Sequence, residues 1–457
     1  MTVIGLGIEG IDLVRYLSSR GARVTVSDAR PAEQLSDSIE AIRDSGAELS
    51  LGGNREADVL SADVVFASQG VPPDIAPLRA ARRRGIPVSS MTRLFLERCP
   101  AAVAGVTGSS GKTTTTALAG AMLEEAGIDH VVGGNIGVGL LGLLDRILPT
   151  TRVVLELSHT QLESVEQSPQ VACVTNVTPN HLDRYSWSSY VALKRRILEF
   201  QDEDDLAILN LDDEVAASFA DEAPGRVAYT SMAHPLPGDG VTLAGDVVTR
   251  IASGQRHEVM RRDEIRLRGV HNVANVLSAV AVASQLGVDD AAAAAAARRF
   301  EGVPHRLEVV ATLGRITFVN DSIATTPERA LAGMRSFTEP LVLLLGGRDK
   351  HLPFRELAVA CLERCRAVVT FGESGPTYAA AIAEVRDGAS PDIDEASDVR
   401  EAVRLAALHA QPGDVVLFSP AGTSFDAYRS FEQRGEAFRA AVRELSGGAP
   451  RTEAGAR

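Results

Sequence analysis

The stretch "VTGSSGKTTTTALAG", which begins at Val106, constrains this chain more than any other, because it reads as a strand end, a glycine loop and a helix start. Gly108 and Gly111 let the backbone curl so that its N–H groups can face phosphate oxygens. Lys112 supplies a positive charge, and Thr113 offers a hydroxyl to Mg²⁺. A surface turn is the alternative, but the position between an apolar strand and a helix favours a phosphate loop. The expected nucleotide contacts are Gly108, Ser109, Ser110, Gly111, Lys112, Thr113 and Thr114.

Strands and helices alternate along three segments, which predicts three α/β domains. The strands "TVIGLG", "ARVTVSDAR" and "ADVVFASQGV" belong to the first segment. The second opens with the phosphate loop, contains a small β excursion between residues 225 and 268, and then an amphipathic helix "HNVANVLSAVAVASQLG". The third holds the strands "ITFVND", "PLVLLLGG", "AVVTFG" and "DVVLFSPA". We predict a Rossmann-like domain over 1–96, a central P-loop ATPase-type domain over 97–302, a Rossmann-like C-terminal domain over 303–447 and a disordered tail over 448–457.

Composition excludes several classes of protein. Among 457 residues, 60 are acidic and 46 basic, and the net charge of −14 argues against a nucleic-acid partner. Four cysteines are too few and too scattered for a disulfide framework. No apolar run approaches the roughly 18 residues of a membrane span, and the N-terminus lacks a signal core. We therefore expect a cytoplasmic protein without membrane insertion, acting on small molecules.

The first glycine turn, "GLGIEG", has the form G-x-G-x-x-G at the start of a helix and invites a rival interpretation as a dinucleotide-binding dehydrogenase. Asp28, at the end of the second strand, even mimics the acid that binds a ribose. No hydride-transfer site follows, however, and the phosphate loop would then be unexplained. A second rival is a non-enzymatic nucleotide switch.

Ten motifs occur in a fixed order: "GVTGSSGKTTT", "GGNIG", "LELSHTQLE", "NVTPNHLDRY", "KRRILEF", "GVHNVANVLSA", "PHRLE", "VNDSIATTP", "LLLGGRDK" and "SPAGTSFDAY…FEQRG". This set resembles the Mur ligases, over residues 1 to about 445, and within them the branch that joins glutamate to UDP-N-acetylmuramoyl-L-alanine. The resemblance implies that ATP converts the substrate carboxylate into an acyl phosphate, which the amine of glutamate attacks. It implies D-glutamate as the amino acid; a related branch that adds L-glutamate is the alternative. We expect a monomer that uses ATP, two Mg²⁺ ions, UDP-N-acetylmuramoyl-L-alanine and glutamate.

The resemblance implies catalytic and metal-binding residues in the central domain. Glu156 would hold Mg²⁺, His181 would bind a second Mg²⁺, and Lys194 matches the position that is carbamylated in the family. A surface glutamate, an ordinary loop histidine and a solvated basic helix face are the competing interpretations. The catalytic set is Lys112, Glu156, His181, Lys194 and Lys350, and the metal set is Thr113, Glu156, His181 and Lys194. A switch would need neither a second metal nor an amine-binding pocket.

Further ATP contacts are implied at both ends of the nucleotide. Asn272 and Asn275 match positions near adenine, although they could equally cap a helix. Arg306 and Asp321 match positions where the third domain closes on ATP. The Arg306 guanidinium would offset phosphate charge, and the Asp321 carboxylate would bind the ribose or order the site. Catalysis should then depend on domain closure, which would exclude water from the acyl phosphate.

The two other substrates would occupy the first and third domains. The implied UDP-substrate contacts are Ile8, Glu9, Asp28, Ala29, Arg30, Gly70, Asn135 and His181. The implied glutamate contacts are Thr325, Lys350, Ser424 and Phe431. Lys350 could instead be an exposed lysine after a strand, and Ser424 a helix N-cap.

The chain departs from the family pattern at several positions. Glu9 stands where Thr is frequent, and His159 and Thr160 stand where Ser and Phe are usual. Ile323 replaces a common Lys, which removes a cation near phosphate and glutamate and resembles the L-glutamate branch. We hypothesise that Arg348 replaces the lost cation.

Overall fold

The computed structural model describes residues 1–135, 139–179, 185–267, 269–349, 352–386 and 391–445. Its chain forms two compact units, Met1–Phe300 and Glu301–Arg457. The first unit contains a five-stranded and a nine-stranded sheet, and the second a six-stranded sheet. The three-domain α/β architecture predicted from the sequence is confirmed. The predicted tail over 448–457 lies outside the described residues.

The N-terminal sheet is entirely parallel, in the order β3-β2-β1-β4-β5. This order, with helices between the strands, is the Rossmann-like arrangement. In chain order, its elements are β1 Thr2–Ile4, α1 Ile8–Ser19, β2 Thr25–Asp28, α2 Ser36–Ala41, β3 Glu48–Leu51, α3 Glu56–Leu60, β4 Val65–Ala67, α4 Ala76–Arg83, β5 Val88–Ser89 and α5 Met91–Arg98.

The central sheet has the order β14-β13-β12-β11-β10-β9-β6-β8-β7. The pairs β12–β13 and β13–β14, at one edge of the sheet, are antiparallel, and the other pairs are parallel. The predicted β excursion is therefore an extension of the main sheet. In chain order, the elements are β6 Ala102–Thr107, α6 Lys112–Glu125, β7 His130–Gly134, β8 Arg152–Glu156, α7 His159–Leu162, β9 Val171–Val174, α8 Trp187–Glu199, β10 Leu206–Asn210, α9 Glu214–Ser218, β11 Arg226–Ser231, β12 Gly240–Ala244, β13 Val247–Ala252, β14 Gln255–Arg261, α10 Val270–Gln285 and α11 Asp290–Arg299.

The C-terminal sheet has the order β15-β16-β20-β17-β18-β19, with only the β15–β16 pair antiparallel. All four strands predicted for this segment are present. In chain order, its elements are β15 Glu308–Leu313, β16 Ile316–Asn320, α12 Pro327–Met334, β17 Leu341–Gly346, α13 Arg355–Arg364, β18 Cys365–Phe371, α14 Gly375–Val385, β19 Asp392–Ala396, α15 Val399–His409, β20 Val415–Ala421 and α16 Phe431–Leu445.

Two packing features position the site. The N-terminal and central domains share one apolar core, in which Leu13 and Phe95 cluster with Leu141 and Val153. In addition, the Asp12 carboxylate accepts backbone hydrogen bonds from the 3₁₀ turn that begins at Leu141. Continuous burial across the junction explains why these two domains form a single compact unit.

Helix α10 differs from the prediction of an amphipathic helix. Its residues from Asn275 to Ala283 are all buried, so the helix is enclosed on every side. It contacts α6, α11 and strands β9 to β12. The small side chains Ala, Ser and Val allow this close packing, so the helix is a central element of the core rather than a surface helix.

Candidate active site

The phosphate loop joins the end of β6 to the start of α6, as the sequence predicted. Gly108 and Gly111 have φ angles of +152° and +80°, respectively. A Cβ atom on Gly108 would lie 2.0 Å from Thr175 Oγ1, and a Cβ atom on Gly111 would lie 2.2 Å from Asn275 Oδ1. The loop therefore requires glycine at both positions, for backbone conformation and for space. Lys112 Nζ donates to the carbonyl oxygen of Gly108 at 2.8 Å, so its charge is held over the loop.

The segment after β9 holds this loop in place. The backbone N–H of Ser109 donates to the carbonyl of Asn176 at 2.9 Å, and that of Ser110 donates to Asn176 Oδ1 at 2.9 Å. The Ser109 hydroxyl also accepts from the N–H of Thr178 at 2.9 Å. These partners lie in "TNVT" after β9, at the carboxyl edge of the sheet where ligands bind in open α/β folds. Sequence reasoning did not identify their supporting role.

Glu156 ends β8 and is only 2% exposed. It lies opposite Val106 in the neighbouring strand β6, one residue before the end of the strand that leads into the phosphate loop. Its Oε1 accepts a hydrogen bond from Asn135 Nδ2 at 3.0 Å, whereas its Oε2 has no hydrogen-bond partner among the described residues. A buried carboxylate oxygen without a donor is a costly arrangement unless a cation completes it.

Lys194 is 1% exposed, because positions 190, 194, 197 and 198 form the inward face of α8. Its Nζ donates to the carbonyl of Gly108 at 2.9 Å and to Thr107 Oγ1 at 3.2 Å. Burial lowers the pKa of Lys194 well below its usual range; the charge of Lys112 lowers the pKa further, and Glu156 opposes this only in part. The solvated basic face considered as an alternative is therefore wrong for this residue.

The start of α10 also lies against the phosphate loop. Asn275 is buried, its Oδ1 faces Gly111, and its Nδ2 donates to Asn272 Oδ1 at 2.9 Å. The two asparagines thus form one polar pair beside the loop. The N-cap position of α10 is Gly269, without a side-chain cap, so neither asparagine caps this helix.

A cavity of about 270 Å³ lies where the N-terminal and central domains meet. It brings together four of the predicted UDP-substrate contacts, Ile8, Glu9, Gly70 and Asn135. Of the other four, Asp28, Ala29 and Arg30 do not line this cavity, and His181 lies outside the described residues. The cavity connects the N-terminal glycine loop with the asparagine that contacts Glu156.

The remaining N-terminal predictions cluster at the end of β2. Asp28 is buried, and its carboxylate accepts hydrogen bonds from the N–H of Leu6 at 2.7 Å and from the Arg30 guanidinium at 2.8 and 3.0 Å. Burial alone would raise the pKa of Asp28, but the hydrogen bonds from Arg30 and Leu6 outweigh it and lower the pKa. Arg30 and Ala29 are exposed beside it. The ionised carboxylate thereby holds the glycine loop and Arg30 together.

In the C-terminal domain, Asp321 follows β16 and is 4% exposed. Its oxygens accept from the N–H of Leu307 at 3.2 Å and from Ser419 Oγ at 2.8 Å. Burial raises the pKa of Asp321 to about 7. Arg306 lies between His305 and Leu307, which adopt φ angles of +63° and +46°. Asp321 thus holds the strained turn that carries Arg306.

A buried arginine organises the predicted glutamate contacts of this domain. Arg434 is completely buried, and its guanidinium donates to Ser322 O at 2.9 Å, to Ser322 Oγ at 3.1 Å and to the carbonyl of Gly422 at 3.0 Å. The Ser322 hydroxyl in turn donates to the carbonyl of Phe431 at 2.8 Å. Burial lowers the pKa of Arg434 to about 10. Sequence reasoning missed this residue, although it lies in the quoted "FEQRG" motif.

Other predictions have more limited support. Ser424 is buried, and Thr325 and Phe431 are half-buried. Arg348 forms an exposed ion pair with Glu373 at 2.9 Å. The positive charge that we hypothesised would replace the lost cation is therefore paired with this glutamate. His181 and Lys350 lie outside the described residues, so their roles stay predictions.

The residues present fit Mg²⁺ that is bound mainly by nucleotide oxygens. In the described part of the chain, no three His, Cys, Asp or Glu side chains are grouped as a protein-only metal site would require. The unpartnered Glu156 oxygen and the Thr113 side chain at the start of α6 instead match a site with one carboxylate and one hydroxyl, because Mg²⁺ typically takes one or two carboxylates together with phosphates. Among the described residues, none of the helices combines the length and the apolar composition that a membrane span requires.

Comparison with known families matches three successive regions of the chain. Residues 1–90 match the MurD-like N-terminal domain of Mur ligases, 106–283 the Mur ligase middle domain, and 305–422 the Mur ligase glutamate ligase domain. Relatives named UDP-N-acetylmuramoylalanine–D-glutamate ligase include a protein of Symbiobacterium thermophilum, 41% identical over 97% of this chain and 98% of its own. Another, from Pelotomaculum thermopropionicum, is 40% identical over 98% of each chain.

Solved structures give the same fold. UDP-N-acetylmuramate-alanine ligase MurC from Thermotoga maritima has a TM-score of 0.58, with 20% identity over 98% of this chain and 99% of its own. A pseudomurein peptide ligase type C from Methanothermus fervidus has a TM-score of 0.55, with 18% identity over 97% and 99%. Because the family models and the named relatives match the chain along nearly its whole length, the chain belongs to the Mur ligase family.

Proposed function

We propose that this chain is an ATP-dependent ligase that joins D-glutamate to UDP-N-acetylmuramoyl-L-alanine, in the synthesis of peptidoglycan precursors. The relatives named for this reaction cover nearly the whole chain at 34 to 41% identity, which favours D-glutamate over the L-glutamate alternative. The single structural observation that carries the proposal is the phosphate loop beside the buried Glu156, whose unpartnered oxygen lies at the neighbouring strand end.

The reaction has two steps. A carboxylate oxygen of UDP-N-acetylmuramoyl-L-alanine attacks the γ-phosphorus of ATP, and ADP leaves with the electrons of the broken P–O bond. The amine nitrogen of D-glutamate then attacks the acyl carbon, inorganic phosphate leaves, and the amine loses a proton as the amide forms. Activation is necessary because a carboxylate is too stable to react with an amine at neutral pH.

Charge neutralisation is the main task of the central domain, since a carboxylate must approach a triphosphate. Lys112 and the loop N–H groups would bind phosphate oxygens. Glu156 and Thr113 would hold Mg²⁺, and when bound the ion would neutralise charge on the transferred phosphoryl group. His181 stays a prediction for a second Mg²⁺. Asn272 and Asn275 would contact the nucleotide from the start of α10.

Lys194 is proposed to carry a carbamate. Its lowered pKa favours a neutral amine, and only a neutral amine can attack the carbon of CO₂ to form a carbamate and release a proton. The product would be an anion beside the phosphate loop, able to ligate or orient Mg²⁺.

We expect Lys194→Ala to lose at least about 100-fold in kcat, as removal of an electrostatic group in a catalytic site does. Added short-chain carboxylates should restore part of the activity, and ¹³C-labelled CO₂ should give a carbamate NMR signal in the wild type only. A full-activity Lys194→Ala enzyme would contradict this role.

The other substrates are assigned to the flanking domains. Ile8, Glu9, Asp28, Ala29, Arg30, Gly70 and Asn135 are proposed to bind the UDP-muramoyl substrate. Arg306 and Asp321 are proposed to serve ATP, and Thr325, Lys350, Ser424 and Phe431 are proposed to bind glutamate. Ser424, which follows β20, and Arg434, which lies in α16, are both buried, and this supports an ordered site there.

A ligation assay tests the proposal. Purified protein is supplied with ATP, Mg²⁺, UDP-N-acetylmuramoyl-L-alanine and either D- or L-glutamate, and ADP, phosphate and amide product are measured. We expect product with D-glutamate, and none when either the UDP substrate or glutamate is omitted. Hydroxylamine, added in place of glutamate, should trap the acyl phosphate as a hydroxamate. Phosphate release from ATP alone would instead support a nucleotide switch, and product with L-glutamate alone would overturn the stereochemical assignment.

We also propose that the enzyme works as a monomer in the cytoplasm, where ATP is abundant. Light scattering during size-exclusion chromatography would determine the oligomeric state. A dimer at enzymatic concentrations would contradict the first part of this proposal.

A further inference from the structure

The cavity between the N-terminal and central domains contains a hydrogen-bonded network that the proposed chemistry leaves unexplained. Glu9 lies in the first turn of α1, where it is half-buried and lines the cavity. A carboxylate at a helix N-terminus occupies the place that otherwise favours a bound phosphate. Glu9 is therefore poorly suited to contact the diphosphate itself, and its proposed part in binding the UDP-muramoyl substrate is to hold the residues that line the cavity.

Both oxygens of Glu9 bind one neighbouring residue. Gln69 donates its backbone N–H to Glu9 Oε2 at 2.9 Å and its Nε2 to Glu9 Oε1 at 2.6 Å. This two-point contact fixes the 68–70 loop, whose three residues all line the cavity. Hydrogen bonds to a carboxylate are the stronger kind, so the loop is held firmly.

The opposite side of the Gln69 amide faces the central domain. Its Oε1 accepts hydrogen bonds from Thr160 Oγ1 at 3.1 Å and from Ser158 Oγ at 3.3 Å. Ser158 and Thr160 lie two and four residues after Glu156. The carboxylate of Glu9 can only accept, so it determines that Nε2 points to Glu9 and Oε1 to the hydroxyls.

Two departures from the family pattern meet at this amide. Glu9 replaces a frequent Thr, and Thr160 replaces a usual Phe; in this chain both contact Gln69. A threonine is too short to make the two-point contact, and a phenylalanine has no donor for the amide oxygen. The three side chains therefore form a matched set.

We propose that Gln69 is a positioning residue for the UDP-muramoyl substrate. Glu9 and the two hydroxyls fix the Gln69 side chain, and Gln69 in turn fixes the 68–70 loop that forms one wall of the cavity. It also couples this wall to the segment that follows Glu156. The ligand is the diphosphate-sugar part of the substrate, so this inference rests on the proposed function. Gln69 acts through the loop backbone and its glycine, and is not a catalytic residue.

A reciprocal exchange of side chains tests the network. In Gln69→Glu, two carboxylates would face each other at a hydrogen-bonding distance, which strongly disfavours the native arrangement. We expect the KM for UDP-N-acetylmuramoyl-L-alanine to rise at least about tenfold, while the KM for ATP stays within about twofold. In the double variant Glu9→Gln with Gln69→Glu, the new amide at position 9 can donate to the new carboxylate at position 69. The other oxygen of that carboxylate can still accept from the hydroxyls of Ser158 and Thr160. The double variant should return the KM to within about threefold of the wild type.

Gln34→Glu is the matched control, because it makes the same chemical change at an exposed position of the same domain. It should leave all KM values unchanged. Thr160→Val should raise the KM for the UDP substrate in the wild type but add nothing in the Gln69→Glu background, because both changes act through one amide. Additive effects would refute the coupling.

The outcomes separate this inference from the proposed function. If the wild type makes no product from either glutamate, the proposed function fails, whatever the variants do. If the wild type is active and Gln69→Glu keeps the wild-type KM, the positioning role is wrong. If Gln69→Glu does not fold, the exchanged double variant decides: a folded enzyme with a near-normal KM supports the network, and a raised KM or renewed misfolding overturns it.

Discussion

Asp321 is the buried carboxyl group for which the structure gives the most quantitative prediction. Its two oxygens accept from the N–H of Leu307 and from the hydroxyl of Ser419, and 4% of the residue is exposed. Burial raises the pKa of Asp321 from 3.8 to about 7; the Ser419 hydrogen bond and the charge of Arg306 oppose only part of this rise. A shift of about 3 pH units corresponds to about 4 kcal/mol, at about 1.4 kcal/mol per unit.

The sign of this contribution follows from proton binding in the two states. Well below pH 4, Asp321 is protonated both in the folded and in the unfolded chain, and its ionisation contributes nothing to the free energy of unfolding. Between about pH 4 and 7, the unfolded chain releases the proton while the folded chain keeps it, so the free energy of unfolding falls. Above about pH 7, both forms are ionised, and the loss levels off at about 4 kcal/mol.

Asp321→Asn removes this titration and so isolates it. Hydrogen exchange of the amides of β16 and β20 measures the opening free energy of the C-terminal domain, after correction for the intrinsic pH dependence of exchange. The difference between wild type and variant should change by about 3 kcal/mol from pH 4.5 to pH 8, with the wild type losing stability. Glu384→Gln, at an exposed position of α14 in the same domain, is the control and should show a much smaller change. A flat difference for Asp321→Asn would refute the reasoning, since it would show that the buried carboxyl ionises like an exposed one.

Three further predictions concern the loops at the strand ends. Gly111→Ala places a Cβ atom 2.2 Å from a buried amide oxygen, so ATP affinity measured by calorimetry should fall at least about tenfold; Gly127→Ala, also at positive φ but with open space around it, should retain ATP binding. Glu156→Gln removes the charge of the unpartnered oxygen, so the Mg²⁺ concentration for half-maximal activity should rise at least about tenfold, and an unchanged requirement would contradict its metal role. Arg434→Met leaves two buried carbonyls without donors and should destabilise the C-terminal domain by about 3 kcal/mol in denaturant titrations, whereas Arg404→Met, with a side chain 58% exposed, should change stability by less than about 0.5 kcal/mol.

Apolar periodicity predicted most strands, and the exceptions share one property. The sequence analysis did not identify β3, β7, β15 and β19, and each of them is an edge strand of its sheet. Their burial is only partial, so they lack the continuous apolar run of a central strand. An edge strand is defined by hydrogen bonds to its neighbour, and those depend on the assembled sheet rather than on local composition.

By itself, the sequence determined the features that depend on a few consecutive residues. The phosphate loop is one of these, because its glycines, lysine and threonine lie within a single turn between a strand and a helix. Glu156 is another, since the apolar residues of "RVVLE" predict a strand that ends at this glutamate. In both cases, backbone geometry over about ten residues is enough to orient the functional groups.

Only the tertiary structure decided which charges are buried and which side chains meet. Lys194 contacts a carbonyl 86 residues away and loses its solvent there, and Glu9 contacts Gln69 across 60 residues. Desolvation and hydrogen bonding between distant segments depend on how sheets and helices pack, and no local pattern encodes that packing. The chemistry available to Lys194, Glu9 and Asp321 was therefore set by the fold, because the surroundings of a charged group, and not its identity alone, determine its pKa and its partners.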